Sequence, residues 1–200
     1  MALLIETYGQ GYPLIFFHGW GFNHKIWTDL LPHLQQEYTL YLVDLPGFGQ
    51  STLISWEEFK HTLISQLPTQ FAVLGWSLGG LYAMRLALEE RQRISHLVAI
   101  TSSPHFIKQE NWPGVEQTIF EDFLVRLQKE PEKTLHNFIK LQGKNYPVSP
   151  VTLSNGNFLG LQYGLESLMN WDFRTDLIGY DRPTCFIFGR LDAIVSLKTM

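Results

Sequence analysis

Short apolar runs alternate along this chain with longer stretches whose apolar residues return every three or four positions. The runs are Leu14-Ile15-Phe16-Phe17, Leu40-Tyr41-Leu42-Val43, Phe71-Ala72-Val73-Leu74, Leu97-Val98-Ala99-Ile100 and Cys185-Phe186-Ile187-Phe188. Runs of this length without polar interruption fit strands buried on both faces. Between them, residues 26–34, 56–67 and 81–89 carry the helical period. Leu81, Met84, Arg85 and Leu88 mark one helix face at i, i+3, i+4 and i+7, with Arg85 the impurity. Strands alternating with helices predict an α/β fold, a mostly parallel sheet with helices on both faces. Residues 3–7 are expected to pair with the first run through a turn at Gly9-Gln10-Gly11.

The rhythm changes after Ile100. From about residue 105 to 170 no strand-like run occurs, and helical patterns dominate, as at 115–128 and 132–141. Gly and Pro punctuate the segment at Pro113-Gly114, Pro131, Pro147 and Pro150. A helical insertion between the last two strands predicts a lid over the carboxyl edge of the sheet. The expected division is a core of residues 1–104 and 171–200 with a lid of 105–170.

Composition narrows the class. Of the 200 residues, 45% are hydrophobic and 17% charged, which suits one globular domain with a sizeable core. The formal net charge of −4 gives no global basic field for nucleic acid. No apolar stretch approaches the ~18 residues that span a bilayer, and the start carries no basic, signal-like segment. A cytoplasmic, monomeric protein is expected. The one cysteine, Cys185, lies in an apolar run and is read as a small buried hydrophobe. Aromatic residues make up 14%, enough to build a core or to line an apolar pocket.

Chemistry concentrates at strand ends. Gly75-Trp76-Ser77-Leu78-Gly79 follows one strand-like run and precedes a helical pattern. That is G-x-S-x-G in the strand-to-helix context of the α/β-hydrolase nucleophile elbow, with Ser77 as nucleophile. The flanking glycines remove Cβ atoms that a tight turn has no room for. His18-Gly19-Trp20-Gly21 follows the first run, where this architecture supplies one oxyanion-hole amide; the other belongs to the residue after the nucleophile. The candidates are the amides of Trp20 and Leu78, donors typically worth ~3 kcal/mol each. Asp44-Leu45-Pro46-Gly47-Phe48-Gly49 is read as a structural loop beside the site. Gly189-Arg190-Leu191-Asp192 closes the last run and offers Asp192 as the triad acid, in the order Ser, acid, His.

No histidine follows Asp192. All seven, His18, His24, His33, His61, His96, His105 and His136, lie upstream. Loss of a triad base costs about 10⁶ in turnover. The expectation is a C-terminally truncated chain whose last strand, helix and histidine are missing. No paired ligands at metal spacing and no phosphate-cradling loop occur, so neither metal nor cofactor is expected.

Together these motifs resemble the pimeloyl-acyl-carrier-protein methyl ester esterases, carboxylesterases of biotin synthesis. Further matches are Ser102-Ser103-Pro104, Trp112-Pro113-Gly114, Phe138, Leu141-Gln142, Asn155-Gly156, Gly164-Leu165-Glu166 and Leu191-Asp192. The resemblance implies that Ser77 attacks the methyl ester of a pimeloyl chain carried on acyl carrier protein, with Trp20, Ser77 and Leu78 at the substrate. It further implies lid contacts from Phe138, Ile139, Lys140, Leu141 and Gln142. The carrier protein would be gripped by a basic patch of Arg126, Lys129, Lys133, Lys140 and Lys144, set against Glu130 and Glu132; the family favours arginines where this chain has lysines. Two other readings stand beside it: a truncated, catalytically impaired carrier-protein binder, and a generic short-chain carboxylesterase.

Overall fold

The computed structural model describes residues 3–142, 157–192 and 194–199. Six strands form one sheet in the order β1-β3-β2-β4-β5-β6. They are β1 (Ile5–Gly9), β2 (Tyr12–Phe17), β3 (Tyr38–Val43), β4 (Phe71–Trp76), β5 (Ile94–Ile100) and β6 (Thr184–Ile187). All neighbouring pairs run parallel except β1 with β3. The helices are α1 (Leu31–Leu34), α2 (Trp56–Ser65), α3 (Leu78–Glu89), α4 (Gln117–Lys129), α5 (Pro131–Gln142) and α6 (Phe158–Asn170), with 3₁₀ turns at His24–Leu30 and Leu197–Thr199. No helix among the described residues is long and apolar enough to cross a membrane.

Alternation along each strand divides the core between the two faces of the sheet. Phe16, Leu40 and Leu42 pack with Trp27 under the 3₁₀ turn. Their neighbours Ile15, Phe17 and Val43 face α2, α3 and the larger core. Nearly every residue of α3 is buried. Arg85, the polar residue on its apolar face, is held between the rings of Trp56 and Trp171 at 4.4 and 4.6 Å and pairs with Glu89 at 2.9 Å. Stacked guanidinium and paired charge let that face stay packed.

Two sequence expectations are corrected. β1 pairs with β3, antiparallel, with Ile5 opposite Val43 and Gly9 opposite Thr39; it does not pair with β2. The turn reverses the chain around the entry to β3, so that β3 lies between β1 and β2. Gln10 N donates to Gln35 O and Tyr12 N to Glu37 O, both at 3.1 Å. Gly9 and Gly11 take φ of +74° and +120° here, and a Cβ on either would collide with the backbone of residues 35–38. Cys185 is exposed, not buried. All four residues of β6 are exposed, because β6 is an edge strand and no described element covers its outer side.

The segment between β5 and β6 is helical, as its periodicity predicts. α4 and α5 form a hairpin that turns at Glu130, and α6 packs against both α3 and α4. Before α4, the chain from Phe106 to Val115 doubles back through bridges Ile107 to Val115 and Gln109 to Trp112. The Trp112 indole donates to His105 O at 2.8 Å and fixes that loop.

Candidate active site

β4 ends in a turn that only strain permits. Ser77 takes φ +54° and ψ −117°, a combination a non-glycine residue holds only when its surroundings dictate it. Its amide donates to Ile100 O at 2.9 Å, and its carbonyl accepts from Gly80 N at 2.9 Å, Leu81 N at 3.2 Å and Ser102 Oγ at 2.7 Å. A Cβ on Gly75 would strike the Gly79 backbone, and one on Gly79 the carbonyls of Phe17 and His18. α3 therefore starts against the end of β2, with the serine at the apex.

The loop after β2 is locked from below. Leu45 N donates to His18 Nε2 at 3.0 Å, so the ring proton sits on Nδ1 and is given to Gly19 O at 2.8 Å. Burial, only partly opposed by the nearby Asp44 carboxylate and the Gly19 carbonyl, pushes the His18 pKa down to about 4. His18 is a neutral brace. Asp44, also fully buried, accepts from His24 N at 2.7 Å, His24 Nδ1 at 2.8 Å and Gln50 N at 2.8 Å. Its burial works to raise the pKa; the His24 hydrogen bond, the nearby His18 and the two amides outweigh it and hold the carboxylate below its usual range. With every oxygen engaged away from the serine, Asp44 shapes the loop.

Trp20 and Leu78 flank the serine and both are buried. Leu78 is the first residue of α3, so its amide has no acceptor within the helix. The Trp20 indole donates to Leu161 O on α6 at 2.8 Å, and its ring meets Phe123 and Phe138 edge-on at 5.4 and 5.0 Å.

Two cavities meet at Ser77. The smaller, about 20 Å³, is lined by Gly19, Trp20, Trp76, Ser77, Thr101 and Asp192, with Phe138 and Gln142 above. Asp192 is held there by its own loop: Oδ1 accepts from Ile194 N at 2.8 Å and Val195 N at 2.9 Å. No described residue hydrogen-bonds Oδ2. The larger cavity, about 230 Å³, runs from Trp20 and Ser77 under the helices α4–α6 between Phe106, Phe120, Phe123, Phe138, Leu165 and Leu168. Its wall is almost wholly apolar, and it suits an aliphatic chain rather than a sugar or nucleotide.

The lid run 138–142 divides by helical period. Phe138 lines both cavities, Leu141 the larger and Gln142 the smaller, whereas Ile139 and Lys140 line neither. Arg126 and Lys129 lie exposed at the end of α4, Lys133 and Lys140 along α5. Lys133 pairs with Glu130 at 3.0 Å. Lys144, Asn155 and Gly156 lie outside the described residues. None of the seven histidines lines either cavity: His18 and His24 are in the brace, His105 is buried with Nδ1 3.3 Å from Trp171 O, and the other four are exposed. Among the described residues no cluster of side chains suits a metal ion.

Sequence reasoning passed over Trp76, Thr101, Ile194 and the aromatic wall of Phe106, Phe120 and Phe123. The high aromatic content was the one available signal for that wall. Thr101, with φ +39°, left no trace in the sequence.

The α/β-hydrolase fold family matches residues 12–200. The chain is 48% identical to a pimeloyl-[acyl-carrier protein] methyl ester esterase from Legionella pneumophila strain Corby, over 100% of this chain and 84% of that protein. An esterase of the same name from Photobacterium profundum is 35% identical over 98% of this chain and 83% of its own length. Among solved structures, an esterase from Exiguobacterium antarcticum superposes with a TM-score of 0.89 at 19% identity, over 98% of this chain and 80% of that one. A hydrolase from Pseudomonas aeruginosa PA01 gives 0.81 at 22% identity, over 98% and 79%. Likeness at these identities shows the fold alone.

Proposed function

Because the chain belongs to the pimeloyl-[acyl-carrier protein] methyl ester esterases of the α/β-hydrolase family, we propose that it is a serine carboxylesterase cleaving the methyl ester of a pimeloyl chain borne on acyl carrier protein. The observation that carries this reading is the place of Ser77, strained at the apex of the elbow where a small polar cavity shared with Asp192 meets an apolar one.

On this reading Ser77 Oγ attacks the ester carbonyl. The oxygen that becomes negative is met by the amides of Trp20 and Leu78, fixed in place before the reaction begins. Methanol leaves, and water then attacks the acyl-serine. The apolar cavity takes the methylene chain, and the enclosing lid excludes water from it. Asp192 orients and stabilises the general base, a histidine that the resemblance places downstream of it. The exposed cations of α4 and α5 provide the face for an acidic carrier protein.

Hydrolysis of methyl pimeloyl-carrier protein and of p-nitrophenyl acetate, by the 200-residue chain and by the product of the whole open reading frame, tests the reading. Turnover of the carrier-linked ester that disappears in Ser77→Ala is the expected result. An unchanged rate in Ser77→Ala would remove the nucleophile. Equal turnover of both esters points to a generic esterase, and salt-sensitive carrier binding without turnover by either form points to a binding protein.

A further inference from the structure

A single glycine on the lid lies where the side chains of both oxyanion-hole residues converge. A Cβ built on Gly164 of α6 would stand 2.9 Å from Trp20 Cδ1, 2.9 Å from Phe48 Cζ and 3.0 Å from Leu78 Cδ2. Contacts that close force a neighbour to move, and none of these three has an easy way out. Leu78 and Phe48 are fully buried. The Trp20 ring is held by its hydrogen bond to Leu161 O, three residues earlier on the same helix, and by the edges of Phe123 and Phe138. One turn further back, Gly160 rests on the backbone of Gly47 and sets the depth of the whole helix.

We propose that Gly164 is a positioning residue for the oxyanion hole: lacking a side chain, it lets α6 seat the side chains of Trp20 and Leu78 together and so fixes the spacing of their amides. This rests on the esterase reading above, in which those amides receive the oxyanion. The two amides come from elements far apart in sequence, the loop after β2 and the first turn of α3. Their side chains touch one common surface, and that surface belongs to the lid. The helix that roofs the acyl cavity through Leu165 and Leu168 therefore also gauges the catalytic amides.

The effect should fall on chemistry rather than on binding, since displacing one donor costs 10²–10³ in rate and misplacement by about 1 Å costs about 10². In the protein expressed from the whole reading frame, Gly164→Ala is expected to lower kcat about 10- to 100-fold with KM changed less than about threefold. The melting temperature must remain well above the assay temperature, and Phe48→Leu in the same protein, by making room, should restore part of the lost kcat. A fold that merely loosened would raise KM and lower kcat together, with no recovery. If Gly164→Ala does not fold, Trp20→Phe decides: it keeps the Trp20 amide and an aromatic ring, shrinks the ring that α6 seats and deletes the link to Leu161 O. A fall in its kcat at constant KM supports the proposal. A kcat within twofold of the parent in whichever variant decides, or a KM that rises in step, overturns it. Loss of the esterase reading itself would show separately, as unchanged turnover in Ser77→Ala.

Discussion

Ser102 Oγ donates a 2.7 Å hydrogen bond to the main-chain carbonyl of Ser77, tying the end of β5 to the strained end of β4. The two strands also share the bond from Ser77 N to Ile100 O. Ser102 is wholly buried, and Gly80 leaves the space its side chain fills. Ser102→Ala should lower stability by about 1 kcal/mol, the net worth of a buried hydrogen bond, read as a lower urea midpoint. It should also lower kcat, because the elbow loses one of its restraints.

The strain itself is measurable. Ser77→Ala keeps a Cβ at φ +54°, and Ser77→Gly does not. Strained conformations cost about 1–3 kcal/mol, and part of that gain is returned through the greater freedom of glycine when unfolded. The Gly variant should therefore be more stable than the Ala variant by about 1 kcal/mol in urea titrations. Equal midpoints would mean that the turn is relaxed.

Acid should weaken the fold in two successive windows. His18 has an ordinary pKa of 6.5 and a folded value of about 4, so between these pH values the unfolded chain binds the extra proton. Its contribution is complete above pH 6.5 and declines as pH falls toward 4, by up to about 1.4 kcal/mol per unit. Asp44, held below its ordinary 3.8, contributes above that pH and is lost as pH falls further. His18→Asn should flatten the stability profile between pH 6.5 and 4 and leave the loss below it. A profile unchanged by that substitution would place the titration elsewhere.

The cavity under α4 and α6 is the place proposed for the acyl chain. Leu168 lines its wall and is buried. Leu168→Phe should raise KM for the pimeloyl ester about tenfold, since misfit of a methylene or two costs 1–3 kcal/mol. Acetate esters, which do not reach that depth, should be turned over at nearly the parental rate.

Arg126 and Lys129 have no ion-pair partner among the described residues, whereas Lys133 is already engaged by Glu130. Reversing Arg126 and Lys129 to Glu should weaken carrier-protein binding at low salt by about tenfold, with hydrolysis of p-nitrophenyl acetate unchanged. Lys133→Glu should do less. Equal effects from all three would indicate a diffuse field instead of a defined face.

The parts legible from sequence are those in which one residue type meets one local demand. Glycines two positions either side of Ser77 announced the elbow, because no other residue clears the backbone of Gly79 or the carbonyls of Phe17 and His18. The parallel sheet was legible in its uninterrupted apolar runs. Pairings that depend on topology were not: nothing local to residues 3–11 says that β3 will enter between β1 and β2. Nor does periodicity reveal that Gly164 faces Trp20 and Leu78: in sequence it is one of the family-matching positions, with nothing to say what it packs against. The lid residues 138–142 formed a continuous stretch in the sequence, and only the turn of α5 separates Phe138, Leu141 and Gln142 from Ile139 and Lys140.

Cys185 sits on β6, the edge strand among the described residues, and is exposed beside the partly exposed apolar side chains of Phe186 and Ile187. A strand edge in that state invites pairing with any extended backbone that reaches it. The outward backbone amides of β6 then serve as a gauge of whether the border is occupied: they should exchange rapidly with solvent deuterium when the edge is open and far more slowly once another strand has settled there.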